Sequence, residues 1–315
     1  MRKRNLGDSG IEVSVLALGG NVFGWTVDEA TSFRVLDAYL AAGGNLIDTA
    51  DMYSTWVPGN RGGESETIIG KWMKARRNRE RVVVATKVGK EMGGGRMGLS
   101  KAYILRAVED SLRRLQTDRI DLYQAHEDDP RTRLEETMEA FALLVQQGKV
   151  RAIGASNYGA GRLAEALLVA EKLRVPAYQT LQPCYNLYDR AEYEGALEPL
   201  CREKGLGVLG YYSLASGFLT GKYRSERDLA KSARGATVTK YMNVRGFRIL
   251  DALDEVALRL GSKPACVALA WLIARPGVTA PIASATAPEQ VDDLVEATNL
   301  KLDDLAIERL NFASA

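Results

Sequence analysis

Short apolar runs alternate along this chain with longer stretches whose apolar residues recur at every third or fourth position. The first pattern is that of a strand buried on both faces and the second that of an amphipathic helix, so the sequence predicts repeated strand–helix units. The strand-like runs cover residues 15–18, 45–48, 82–87, 120–125, 150–155, 178–182, 207–211 and 279–283. Helices are expected between them. The first opens at a capping-box pattern, Thr26 with Glu29, and stops at Gly43-Gly44. The next runs from Ser65 to about Ala75. A third starts at Ser100 and carries Leu105, Val108, Leu112 and Leu115 on one face. A second capping-box pattern, Thr132 with Glu135, precedes the face Leu134, Met138, Phe141 and Val145, which Gly148 ends. Further helices are expected at 160–172, 190–204, 247–260 and 264–274, then from Pro288 and from Asp303. Residues 2–13 read as a hairpin turning at Gly7-Asp8-Ser9-Gly10, and 213–246 as a long irregular stretch after the seventh strand.

Eight alternations without a linker make one α/β domain over residues 1–315, a (β/α)8 TIM barrel with an N-terminal hairpin and a long loop after strand seven. With 46% hydrophobic residues the chain can bury a core of that size. Lys plus Arg number 42 against 40 Asp plus Glu, a net charge of +2 that gives no pull toward nucleic acid or anionic membrane. No apolar run approaches the roughly 20 residues that span a bilayer. The first residues lack the apolar segment of a signal peptide, and Cys184, Cys201 and Cys266 lack metal-ligand spacing. A cytoplasmic protein is expected.

Three strand runs end on groups that carry chemistry: Asp48, Lys87 and His126, the last the single histidine of the chain. Tyr53 follows the first of them. The carboxyl ends of parallel strands converge on one face, so these four residues are expected around one pocket. A free phenol titrates near 10, about three units above neutrality, and each unit is worth about 1.36 kcal/mol. An adjacent ammonium is expected to lower that value, with Asp48 holding Lys87 charged and His126 orienting a carbonyl oxygen. This is equipment for moving a proton onto an alkoxide as hydride arrives, or the reverse. Hydride transfer needs a cofactor. Gly93-Gly94-Gly95-Arg96-Met97-Gly98 matches a dinucleotide-binding glycine pattern, but it lies beyond the strand turn and lacks the acid at the next strand end, so it reads as a loop over the barrel mouth. Phe23, Trp25 and Trp56 are candidate walls of an apolar substrate pocket, and the Gly-rich segment 54–63 a candidate selectivity element. Residues 222–248 carry eight basic side chains against Glu226 and Asp228, suited to attracting phosphate.

The opening 4–14, the segment Asn45 to Tyr53, Thr86-Lys87, Gly63-Glu64-Ser65-Glu66, Ile153 to Tyr158, Leu181 to Asn186 and Tyr212 to Lys222 together resemble the aldo-keto reductases, in order and over nearly the whole chain. The likeness extends to the branch that contains channel β-subunits. The resemblance implies a barrel that binds extended NADP(H) across its mouth. It implies that Ser156, Asn157 and Gln182 hold the nicotinamide carboxamide, that Tyr212 stacks on the ring, and that Ser213, Leu214, Gly217 and Lys222 line the pyrophosphate path. Gly20 and Asn21, with Ser284, Thr286, Gln290 and Asp293, complete the implied cofactor set. The segment 284–294 has no arginine, and Leu294 replaces the family's usual asparagine, so NAD(H) stands as the alternative cofactor. The implied partner is a small carbonyl or alcohol substrate; a homo-oligomer is compatible with the sequence, which selects none. Two other classes stay open: a cofactor-binding regulatory subunit, and a lyase or epimerase using Lys87 for a Schiff base.

Overall fold

The computed structural model describes residues 1–315. An antiparallel hairpin comes first, β1 (Lys3–Asn5) with β2 (Glu12–Ser14). Eight parallel strands follow: β3 (Ala17–Gly19), β4 (Leu46–Asp48), β5 (Val83–Val88), β6 (Ile120–Ala125), β7 (Val150–Ser156), β8 (Thr180–Gln182), β9 (Gly207–Val208) and β10 (Ile282–Ala283). They hydrogen-bond in the order β10-β3-β4-β5-β6-β7-β8-β9. The two end strands meet through Thr279 N–H donating to Val208 O at 2.9 Å and Ile282 N–H donating to Gly210 O at 2.8 Å, which closes the expected (β/α)8 barrel.

Between strands run α1 (Glu29–Ala41), α2 (Glu64–Arg76), α3 (Lys101–Leu115), α4 (Leu134–Gln146) and α5 (Ala160–Leu173). After β8 comes α6 (Glu198–Glu203), entered through a wide π turn at Tyr193–Leu197 where a continuous helix over 190–204 was expected. The stretch after β9 is not structureless. It contains 3-10 turns at Ala215–Thr220, Glu226–Lys231 and Thr239–Tyr241 around the short α7 (Gly235–Val238). Then α8 (Val244–Leu260), α9 (Pro264–Ala274), α10 (Glu289–Asn299) and α11 (Asp304–Ser314) complete the chain. No single helix is long and apolar enough to cross a membrane.

Two expected caps are corrected. At α1 the cap is Asp28, whose carboxylate accepts from Thr31 N–H at 2.8 Å; Thr26 lies two residues too early. At α4 the cap position is Arg133, and Thr132 instead donates its hydroxyl to Asp129 Oδ2 at 2.8 Å. Ser100 and Asp303 cap α3 and α11 as their sequence positions require.

Apolar residues sort into two clusters. The larger fills the layer between strands and helices, with Trp72, Tyr123, Phe141 and Trp271 fully buried. The smaller fills the barrel interior with Leu46, Ala85, Leu122, Ala152 and Leu209, and the hairpin contributes Leu6, Ile11 and Val13 to it. The hairpin is therefore a plug. Each of those three buried side chains contributes roughly 1.5–3 kcal/mol as an upper estimate. Gly7, at φ +56°, presses on Gln179 O, where a Cβ has no room. Arg4 fastens the plug by donating to Val278 O at 2.5 Å and Ile273 O at 2.8 Å. With that end sealed, an opening is left only at the carboxyl ends of the strands.

Candidate active site

A cavity of about 1070 Å³ opens at those strand ends. Its floor is an ion pair. Lys87 on β5 is fully buried, and its Nζ donates to Asp48 Oδ2 at 2.7 Å, to Thr49 O at 2.8 Å and to Tyr53 OH at 3.0 Å. Three donors thus find three oxygens, which meets the desolvation cost of burying an ammonium. Tyr53 OH donates to the same Asp48 Oδ2 at 3.2 Å. The parallel register explains the convergence: Asp48 pairs with Ala85 and Lys87 with Gln124, so successive strand ends are stepped around one rim.

His126 follows β6, with its ring 6.1 Å from that of Tyr53 between centroids. Its Nδ1 is buried without a partner, which leaves Nε2 as the nitrogen open to the cavity. Burial, with Lys87 as the second cause, pushes the imidazole well below its usual range, so His126 is neutral near pH 7. One expectation is reversed here. Desolvation and the neighbouring Asp48 carboxylate hold the Tyr53 phenol well above the usual tyrosine range, outweighing the ammonium that was expected to lower it. Burial also holds Lys87 below the usual lysine range, against the pull of Asp48. The resting phenol is a protonated donor.

Around this floor the structure gathers most of the residues singled out in the sequence. Gln182 at the end of β8 donates Nε2 to Asp48 Oδ1 at 2.8 Å. Ser156 donates to Gln182 O at 2.9 Å. Asn157 donates to His126 O at 2.8 Å and accepts from Tyr211 OH at 2.7 Å. Tyr212 is 46% exposed on the cavity wall, its ring edge to face with that of Tyr211 at 5.1 Å. Ser213, Leu214, Gly217 and Lys222 continue the wall, and Asn21, Ser284, Thr286, Gln290 and Asp293 line the far end. There Ser284 donates to Asn21 Oδ1 at 2.6 Å, and Thr286 N–H donates to Gln290 Oε1 at 2.8 Å.

Trp25 and Trp56 also line the cavity, edge to face at 5.5 Å, with Trp56 6.2 Å from Tyr53. Two residues of the sequence set lie elsewhere. Phe23 is fully buried in the core and forms no part of the wall, because its backbone bridges to Val27 and turns the ring inward. Gly20 sits behind its neighbours Gly19 and Asn21, against Ser65 and the Asp48 carbonyl. The 93–98 loop does not line the cavity; Arg96 folds it onto Arg61 O at 3.3 Å and Met92 O at 2.7 Å, beside the 54–63 loop.

The basic run after β9 is mostly spoken for by structure. Arg224 pairs with Asp254 at 2.7 Å, Lys231 with Asp228 at 2.6 Å, and Arg245 and Arg248 hold the C-terminal carbonyls. Lys222 and Arg234 alone of the eight line the cavity. Sequence reading did not single out Arg234, Lys90 or Tyr211 as wall residues. Arg234 was visible only as one charge in a basic run.

The backbone around the cavity is unusual. Eight non-glycine residues have positive φ: three cap helix ends (Arg77, Gln116 and Arg174), and the others (Ser54, Asn157, Tyr212, Ala215 and Ser216) lie on the cavity loops. Such conformations cost ~1–3 kcal/mol each and gather where a site is held in a set geometry.

The sequence model of the Aldo/keto reductase family matches residues 15–314. The chain belongs to that family. Aldo/keto reductase relatives cover it almost end to end. An uncharacterized oxidoreductase, YrpG, of Bacillus subtilis (strain 168) is 40% identical over 97% of this chain and 94% of its own length. The aldo-keto reductase YhdN of the same organism is 35% identical over 96% and 90%. A "Probable voltage-gated potassium channel subunit beta" of Oryza sativa subsp. japonica is 33% identical over 95% and 92%. Membership makes this chain an oxidoreductase of a family that acts on small carbonyl compounds with NAD(P)H.

Proposed function

We propose that this protein is an NADP(H)-using reductase of aldehydes or ketones, running in reverse as an alcohol dehydrogenase, with Tyr53 as the proton donor and acceptor. The observation that carries the reading is the position of the Tyr53 hydroxyl: it lies on the cavity side of the Lys87–Asp48 pair, 3.0 Å from Lys87 Nζ.

The donor set suits a dinucleotide. Gln182 commits its Nε2 to Asp48 and leaves its side-chain oxygen unclaimed, an acceptor for a carboxamide N–H. Ser156 and Asn157 flank it, and the exposed Tyr212 ring offers a stacking face. Farther along, Ser213, Leu214, Gly217 and Lys222 would receive the pyrophosphate, with Asn21, Ser284, Thr286, Gln290 and Asp293 at the adenosine end. Lys222 supports this: it lines the cavity, with its ammonium 5.1 Å from the centre of the Tyr223 ring. The bound cofactor supplies or accepts hydride.

The chain's own residues perform the remaining work. Neutral His126 presents Nε2 to the carbonyl oxygen and positions it beside Tyr53. Tyr53 releases its proton to that oxygen as negative charge develops. Lys87 then stabilises the phenolate through the bond it already makes, so little reorganisation accompanies the transfer. Asp48 keeps Lys87 in place. Trp25 and Trp56 keep water from the reacting carbon.

The test is a fluorescence titration of the purified protein with NADPH and with NADH, followed by aldehydes and ketones at saturating cofactor. Saturable NADPH binding with substrate-dependent loss of absorbance at the reduced nicotinamide band is the expected result. Binding of neither nucleotide contradicts the proposal.

A further inference from the structure

Arg234 is the only arginine that lines the cavity. Its Nη2 is buried without a partner, and its side chain lines the cavity. Such a nitrogen is ordinarily expensive to bury, since its donors leave water and gain no acceptor. Its position is nevertheless fixed. The Arg234 backbone N–H donates to Ser232 Oγ at 3.3 Å, and Ser232 Oγ is held by Tyr223 OH at 2.6 Å. The Arg234 carbonyl accepts from Thr237 Oγ1 at 2.7 Å. The next residue is Gly235, where a Cβ would collide with Leu229 O. The turn is thus pinned on both sides, and the guanidinium carbon lies 5.4 Å from the centre of the Trp25 ring.

The surrounding charge is one-sided. The cavity is lined by Lys90, Lys222, Arg234 and Lys263 against Asp48 and Asp293. Both acids are already bound, Asp48 to Lys87 at 2.7 Å and Asp293 to Lys263 at 2.6 Å. Lys90 has only a loose partner, Glu127 at 3.9 Å. The mouth beside Trp25 and Trp56 therefore combines an aromatic wall with a held, unanswered guanidinium.

We propose that Arg234 is a specificity-determining residue that receives a carboxylate on the substrate, so that the preferred carbonyl compound has an aromatic or apolar body and an anionic end. The inference rests on the reductase reading of the same cavity. A planar carboxylate meets the guanidinium fork with two parallel hydrogen bonds, which a neutral group cannot match. Trp25 and Trp56 cover the body while the aldehyde end reaches Tyr53 and His126.

A matched pair of substrates tests this: 4-carboxybenzaldehyde and its methyl ester, with wild type, Arg234→Gln and Arg234→Lys. Wild type is expected to favour the acid. In Arg234→Gln, kcat/KM for the acid should fall about 10- to 100-fold more than for the ester, chiefly through KM, and Arg234→Lys should recover part of it. NADPH affinity should stay within about twofold, as for a side chain that does not touch cofactor. Equal loss for acid and ester overturns the proposal. So does a fall in NADPH affinity with the acid-to-ester ratio unchanged, which would assign Arg234 to the cofactor phosphates. Terephthalate titrated into the NADP⁺-saturated protein, read by tryptophan fluorescence, separates this inference from the reaction itself. Quenching that is lost in Arg234→Gln upholds the anion site even if no aldehyde is reduced, and its absence in wild type refutes it.

Discussion

Gln182 and Asp48, 134 positions apart in the chain, are joined across the cavity floor by a 2.8 Å hydrogen bond from Gln182 Nε2 to Asp48 Oδ1. The carboxylate is thereby split: one oxygen serves Lys87 and Tyr53, and the other is fixed by an amide from the far side of the barrel. Gln182→Leu removes that donor and the side-chain oxygen offered to a carboxamide. A loss of one hydrogen bond of about 1–1.5 kcal/mol corresponds to roughly tenfold weaker NADPH binding, readable by fluorescence titration. Unchanged affinity would remove Gln182 from the cofactor site.

The pH dependence follows from two displaced titrations. Tyr53 is raised above its ordinary value near 10, so the phenol stays protonated as pH rises through the neutral range. His126 is lowered below its ordinary value near 6.5, so the imidazole stays neutral as pH falls toward it. Reduction at saturating NADPH should accordingly hold its rate from about pH 6.5 to about pH 9, whereas alcohol oxidation should climb with pH because it needs the phenolate. A kcat for reduction that falls as pH rises through 7 would contradict the Tyr53 assignment, and one that falls as pH drops through 7 the His126 assignment.

Behind the cavity floor, Asp51 is buried with neither carboxylate oxygen hydrogen-bonded. Burial and the nearby Glu66 raise it well above the usual carboxylate range. A raised folded-state value stabilises below the unfolded value near 4 and is lost as pH climbs through the folded one, so the wild type carries a growing penalty toward alkaline pH. Asp51→Asn removes the charge at issue. The variant should melt above wild type, by a larger margin at pH 8 than at pH 5, in thermal scans at the two values. A margin that shrinks with pH would refute the account.

Arg114 covers a fully buried acid, Glu66, at 2.6 Å, and Glu66 also accepts from Thr86 Oγ1 at 2.6 Å. Breaking such a pair from one side strands a charge and costs about 3–5 kcal/mol. Arg114→Met is expected to fall in that range in denaturant unfolding, with the double variant Glu66→Gln, Arg114→Met recovering part of it. Equal instability of single and double variants would show that packing, not charge, is the cause.

The barrel and the floor of its candidate site were legible because their causes are local. Strands buried on both faces must read as apolar runs, and Asp48, Lys87 and His126 stand where those runs end. Parallel pairing then brings the ends together without help from loops. Phe23 was not legible, since an aromatic after a strand suits wall and core equally until its backbone turn is known. Thr26 and Thr132 mimic caps by spacing, but the cap of α1 is Asp28, two residues later, and that of α4 is Arg133, one residue later. Arg234 depends on contacts with Ser232 and Thr237, and on Gly235 lying against Leu229, that a basic run does not reveal. The direction of the Tyr53 shift was misjudged for a related reason: a neighbouring lysine is visible in sequence, whereas the depth of burial and the second reach of Asp48 are not.

The most direct measurement is single-turnover oxidation of bound NADPH by an aldehyde substrate, in wild type and Tyr53→Phe, with NADPH affinity determined on the same samples. The hydroxyl is the only atom removed, and the Lys87–Asp48 pair remains. Loss of a general acid of this kind lowers the chemical step by about 100-fold or more. The account predicts that loss, with cofactor affinity retained. A Tyr53→Phe protein that oxidises NADPH at the wild-type rate would contradict it.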